Sequence, residues 1–526
     1  MTGADGITTF TLKQDQTTGL KTELTAALDS SSSTKSTLPV VFTVLTSPDS
    51  PKAKFWGHMA ETATGDDGLI YRRPLLRDEN SATTSIGTLV EEGEAWSTFP
   101  SGQANDTSIN GCGAEYVPTD NELRAIYAHQ GSSALHDAIG WPVSRFYISN
   151  TVADTFTQTF TYDVVSLKTG DETQMPSSGG ALLSCRTTPV AVASQIIVEA
   201  NDTAQFVKVD DTLSALKVKK GEDAVIRVVT KNAQGNSVPN VPFILRREGS
   251  KNRQNAEMIN KAITVINAAG ASARMNSSSS LLYGVTGADG TTSFTVKQDD
   301  SMGLVTNMYA QLYQLTIESN KLPVMFTVIT SPDTPLASYW GHMSETFTTR
   351  SGIAFKRPLL TAEHPAGQST MANNESWLSL NTAAKNDVSK SDCGEPYQPL
   401  LSEFQELYSE HPNGAIGTDL GLPLTNTWWA YDKIAYANVW YDQSINLSNG
   451  SSSRALSNTV AFVSCLVNPH AVAASIKMTS TALDAEKTAS NDGRPSATAA
   501  KGTAIRMTVI VRDSGGNLLP GANFNL

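Results

Sequence analysis

Between residues 190 and 330, apolar and polar positions alternate. Gln195-Ile196-Ile197-Val198, Ala224-Val225-Ile226-Arg227-Val228-Val229-Thr230 and Val241-Pro242-Phe243-Ile244-Leu245 read as short strands, with turn signals at Gly235-Asn236 and Val238-Pro239-Asn240 between them. Thr292-Ser293-Phe294-Thr295-Val296 and Val324-Met325-Phe326-Thr327-Val328 add two strands with a period of two. Short strands joined by turns predict a β-sandwich. Glu257–Ala268 fits less well and reads either as a short helix or as an excursion between strands. A helical period appears in Pro118–Tyr127: Leu123, Ile126 and Tyr127 form one apolar stripe, and Thr119 with Glu122 forms a capping box.

Much of this pattern occurs twice. Thr2–Gln14 returns as Thr286–Gln298, and Phe55-Trp56-Gly57-His58-Met59 returns as Tyr339-Trp340-Gly341-His342-Met343. Arg73-Pro74-Leu75-Leu76, Glu94-Ala95-Trp96 and Gly140-Trp141-Pro142 reappear as Arg357–Leu360, Glu375-Ser376-Trp377 and Gly421-Leu422-Pro423. A repeat this long means two module types in alternation. The second copy of the helix keeps Glu403, Phe404, Leu407 and Tyr408 but has Leu400 at the cap, which predicts a first turn that frays more.

Length and composition narrow the picture. A chain of 526 residues exceeds one core. The net charge of −12 disfavours nucleic acid as a partner, and no apolar run is long enough to span a bilayer. The first residues lack an export-signal pattern, so any such signal would lie outside this stretch. The four cysteines fall into one similarly flanked pair per repeat, Cys112 with Cys185 and Cys393 with Cys465. We read one disulfide per repeat and an oxidising compartment; four buried free thiols are the alternative.

Val228–Phe243, with its Gly235-Asn236 turn, returns near Val509–Phe524 and resembles a hairpin of bacterial Ig-like domains in intimin- and invasin-type adhesins. The segment 54–189 and its copy 337–469 resemble C-type-lectin-like modules, more specifically the adhesion domain that alternates with Ig-like domains in enterobacterial intimin-like proteins. The fold this implies is mainly β: tandem Ig-like sandwiches alternating with α+β lectin-like modules. The expected boundaries are 1–53 (second half of an Ig-like domain), 54–189, 190–336, 337–469 and 470–526 (first half of an Ig-like domain). The resemblance further implies a non-catalytic adhesin segment at the bacterial surface, a host protein or glycan receptor, and a β-barrel elsewhere that anchors it in the outer membrane. No cofactor and no metal are expected.

A calcium-dependent sugar site needs clustered carboxylates and amides; Trp440-Tyr441-Asp442 is the nearest match, and its counterpart Phe160-Thr161-Tyr162 has no carboxylate. His58 and Glu61, repeated as His342 and Glu345, read as a metal or acid–base pair or as a structural hydrogen-bonded pair. Trp56, Trp96, Trp340 and Trp377 read as core packing rather than sugar stacking. The two copies differ most where copy two has Trp428, Trp429, Tyr431, Tyr436, Trp440 and Tyr441. Large amphipathic aromatics of this kind mark binding hot spots, so these six are the expected ligand face, a heavier core being the alternative.

Two other readings compete: a purely structural stalk, and a module related to formylglycine-generating enzymes, which needs reactive cysteines. The proline junctions Ser47–Pro51 and Ser331–Pro335 predict a semi-rigid rod. Residues 1–53 and 470–526 are expected to lack partner strands and to expose sheet edges.

Overall fold

The computed structural model describes the chain except residues 47–48, 81–86, 111, 132–133, 154, 210–212, 260, 299–301, 331–332, 365–366, 438, 457, 472, 481–496, 498, 520–521, 523 and 525–526. Parts of both proline junctions and of the C-terminal hairpin motif therefore lie outside the described residues. Two units form: one of Met1–Ser250, Ile259–Asp299 and Thr306–Val324, the other of Lys251–Met258, Asp300–Val305 and Met325–Leu526.

In the first unit the alternating segments become a sandwich. One sheet has the order Gln195–Ala200, Ala224–Lys231, Thr291–Lys297, Ile263–Asn267, Ser272–Met275, antiparallel throughout. The other runs Phe206–Lys208, Ser214–Lys219, Leu322–Thr327, Leu304–Leu312, Pro242–Arg247, Leu282–Val285. Alternation turns Ile226 and Val228 of one sheet and Phe243 and Leu245 of the other inward, where all four are buried. The Phe243 and Phe294 rings meet edge to face across the core, 6.0 Å apart. Glu257–Ala268 is no helix: β-branched Ile263 and Val265 are buried in a strand that pairs on both sides.

The Gly-Asn hairpins form alike. Gly235 and Gly516 take φ of 82° and 80°, and the side chains of Asn232 and Asp513 accept the amides of Asn236 and Asn517.

The first copy of the repeated module lies in the same unit as three small sheets around the helix Asp120–Gln130. Its capping box is present: Thr119 Oγ1 accepts from the Glu122 amide, and Glu122 accepts from the Thr119 amide at 3.0 Å. Leu123 and Ile126 pack into a core with Trp96, Trp141 and Tyr147. The second unit holds the other copy, with a sheet of order Gln368–Ala372, Glu375–Asn381, Val460–Phe462, Trp428–Tyr436, Val439–Ile445, Ser452–Ala455. Its helix Leu401–Glu410 lacks a cap side chain at Leu400, yet the Asp432 carboxylate accepts the Leu401 amide from across the fold.

The outlying segments form two-stranded hairpins, Leu20–Leu28 with Ser31–Phe42 and Ser475–Ser480 with Met507–Arg512. Phe10 is 80% exposed, whereas its counterpart Phe294 is 2% exposed.

Candidate functional site

Two hairpins at equivalent places define the surface where the copies diverge. The first joins Tyr147–Ala153 to Thr161–Val165; the second joins Trp428–Tyr436 to Val439–Ile445. Each carries an irregularity at the same register, between Ile148 and Val152 and between Trp429 and Lys433. Each also has a non-glycine residue at positive φ just beyond it, Phe156 at 54° and Ala437 at 49°. A bulge of this kind re-aims the side chains that follow it.

Below the bulge the second hairpin is core. Trp428 is fully buried, its indole donates to the Pro423 carbonyl at 3.1 Å, and its ring centroid lies 5.9 Å from Phe404 and 6.0 Å from Phe462. Trp429 is buried on the opposite sheet face, among Leu378, Leu380 and the paired Cys393 and Cys465, and donates to the Leu380 carbonyl at 2.7 Å. These two residues are therefore not on a ligand face. The sheet is covered on both sides here, so adjacent residues are both interior. Tyr147 fills the Trp428 position in copy one and makes the matching bond to the Pro142 carbonyl at 2.7 Å.

Above the bulge the side chains emerge. Tyr431, Ile434, Tyr436, Val439 and Trp440 are exposed, and Tyr441 is half-buried. Tyr436 and Tyr441 lie 6.4 Å apart, and the Arg454 guanidinium stands 3.6 Å from the Tyr436 ring centroid, a cation–π contact. Of the six expected ligand-face residues, four remain at or near the surface together.

Asp442 is engaged elsewhere. Buried Lys385 places its Nζ 3.3 Å from the Asp442 carboxylate, 3.2 Å from the Ala430 carbonyl and 5.6 Å from the Trp429 ring centroid. Burial pushes the Lys385 pKa below its ordinary value, opposed by Asp442.

The His-x-x-Glu motifs do not pair internally. His58 sits between Asp49 and Glu94, 3.4 Å from each, and His342 between Asp333 at 3.3 Å and Glu375 at 3.0 Å. The carboxylates flank opposite ring nitrogens and so do not converge on a shared coordination point; around His342 they suit an ion-paired imidazolium. Burial alone would lower the His342 pKa; the two carboxylates outweigh it and raise it. Glu61 and Glu345 instead bind Arg73 and Arg357, buried guanidinium groups that also hold Glu79 and Glu363. Among the described residues no group of three or more His, Cys, Asp or Glu is arranged to hold a metal ion.

Trp96, Trp340 and Trp377 are buried, and Trp56 is exposed. Arg253 stacks 4.8 Å from the Trp340 centroid while bonding to the Asp333 carboxylate at 2.7 Å. Sequence reasoning missed Arg253 and Lys385, because both act on residues far away in the chain. The disulfides are Cys112–Cys185 and Cys393–Cys465, and no described cysteine is free.

Comparison with known proteins places these modules. The family described as "Adhesion domain" matches residues 48–186 and 332–466, more than half of the chain. "Bacterial Immunoglobulin-like 21" matches 1–45 and 221–329. The chain belongs to the adhesion-domain family of invasin- and intimin-type adhesins, and its role is that of a surface adhesin. No curated protein matches. Among solved structures, the Yersinia pseudotuberculosis adhesin InvE is 20% identical and covers 61% of this chain and 96% of its own, with a TM-score of 0.43. The D00-D0 domain of intimin is 14% identical over 31% of this chain and 62% of its own, with a TM-score of 0.14. The D0-D1 domain of intimin is 11% identical over 35% and 99%, with a TM-score of 0.16.

Proposed function

We propose that the chain is an extracellular segment of a bacterial adhesin that attaches to host cells or matrix. Lectin-like adhesion modules at 54–189 and 337–469 bind a host protein or glycan receptor. The Ig-like domain at 190–336 spaces them, and Ig-like portions at 1–53 and 470–526 continue the array. A β-barrel elsewhere in the protein tethers it to the outer membrane. The observation that carries this reading is the adhesion-domain match on both repeats. The test is binding of the 526-residue chain to cultured host cells and to a glycan array. Saturable binding supports attachment; none on either surface overturns it. The second reading, a structural stalk, draws on the first hairpin, whose outer face is used up in packing on an Ig-like sheet.

A further inference from the structure

We propose that the exposed face of the second hairpin (Ile434, Tyr436, Val439 and Trp440) is the seat of an Ig-like module, the one that opens with Ser475–Ser480 and Met507–Arg512. The first hairpin already shows such a contact. Phe160 is 1% exposed, with ring centroids of Tyr283 at 5.3 Å and Tyr313 at 4.7 Å. Val152, Tyr162, Ile244 and Tyr283 close the cluster. The Tyr283 amide donates to the Phe156 carbonyl at 2.8 Å, and Gln314 donates to the Tyr162 hydroxyl at 2.9 Å. Copy one therefore docks on the Ig-like strands Pro242–Arg247 and Leu282–Val285 and on Tyr313 just beyond Leu304–Leu312.

Register carries the comparison across. Val152 faces Tyr162, and Lys433 faces Asp442. Counting back from those pairs, Trp440 stands where Phe160 stands, and it is 66% exposed. The tether also matches: Gln195 begins its strand as far beyond Cys185 as Ser475 does beyond Cys465. Contiguous exposed aromatic and aliphatic surface of this kind marks an interaction site. A sheet of the same family, reached through an equal tether, fits it better than a free ligand does. The inference goes beyond host attachment and does not rest on it.

The test lengthens the full chain past Leu526 with a copy of its own residues 246–336, which supplies the equivalent strands. Hydroxyl-radical oxidation of Tyr436 and Trp440 is read by mass spectrometry, with amide exchange reporting folding of the added strands. Oxidation should fall severalfold against the 526-residue chain; unchanged oxidation beside folded added strands overturns the proposal. A second variant needs no added strands. In the intact chain, residues 152–162 are exchanged for 433–442, so that the aromatic hairpin meets the existing Ig-like face. The transplanted tryptophan should be protected and Tyr283 should stay protected; a tryptophan as reactive as Trp440 overturns the proposal. Loss of host-cell binding on Trp440→Ala would assign the face to a receptor and also overturn it. Failure of the 526-residue chain to bind cells would leave it standing.

Discussion

A Cβ added to Gly303 would stand 1.5 Å from the carbonyl oxygen of Trp340, and one added to Gly19 would stand 1.6 Å from that of Trp56. The backbones touch because the Trp340 amide donates to the Gly303 carbonyl at 3.3 Å, as that of Trp56 does to Gly19 at 3.2 Å. No side chain fits without moving main chain. Gly303→Ala should cost about 3 kcal/mol, at the upper end of overpacking penalties. Calorimetry should show an unfolding transition shifted down, and amide exchange in Leu304–Leu312 should rise. An unchanged transition would refute the close approach.

His342 gives a pH dependence with a definite sign. Its folded pKa is raised above the unfolded value of about 6.5. Its contribution is therefore fully present below that value and is lost as pH rises through the folded pKa. As pH rises above about 6.5, the melting temperature of the wild-type chain should fall by more than that of His342→Gln. Parallel pH profiles for the two proteins would contradict the ion-paired imidazolium.

Trp428 and Trp440 should respond oppositely to truncation. Trp428→Ala opens a cavity in the core and should destabilise by about 3–5 kcal/mol. Trp440→Ala removes an exposed ring and should change stability by less than about 0.5 kcal/mol. Chemical denaturation followed by intrinsic fluorescence distinguishes them. The practical consequence is that a binding defect in Trp428→Ala reports unfolding.

Why this was illegible is physical. The sequence presents Trp428-Trp429-Ala430-Tyr431 as one aromatic run, and residues at i and i+1 point to opposite faces of a strand. In a sheet covered on both faces both are buried, and only the bulge that follows brings Tyr431 and Tyr436 to the surface. Bulges have no strong local signature. The Gly235-Asn236 turn, the Thr119–Glu122 box and the cysteine pairs were legible because their determinants are local or repeated. The Asp432 replacement for a lost cap was not, because it reaches the helix through the tertiary fold.

Lys385 and Asp442 make a coupled pair. Lys385→Ala leaves the mostly buried Asp442 carboxylate without its cation and should cost roughly 3–5 kcal/mol. The double change Lys385→Met with Asp442→Leu should recover most of that loss, because replacing both charges by apolar groups of similar size is often near neutral. A double-mutant cycle by urea denaturation measures the coupling. Additive single effects would show the contact to be incidental.

The position of the second disulfide has a mechanical consequence. Cys465 lies in a strand that pairs with Ala354–Lys356, near where the module begins, and its bond to Cys393 spans 72 residues. Under tension applied through the two ends of the module, those residues cannot pay out, however far the rest unravels. At about 3.5 Å per extended residue, roughly 250 Å of slack is locked away. Each such module is thus a tether of capped reach, and only a reducing agent would let it lengthen further.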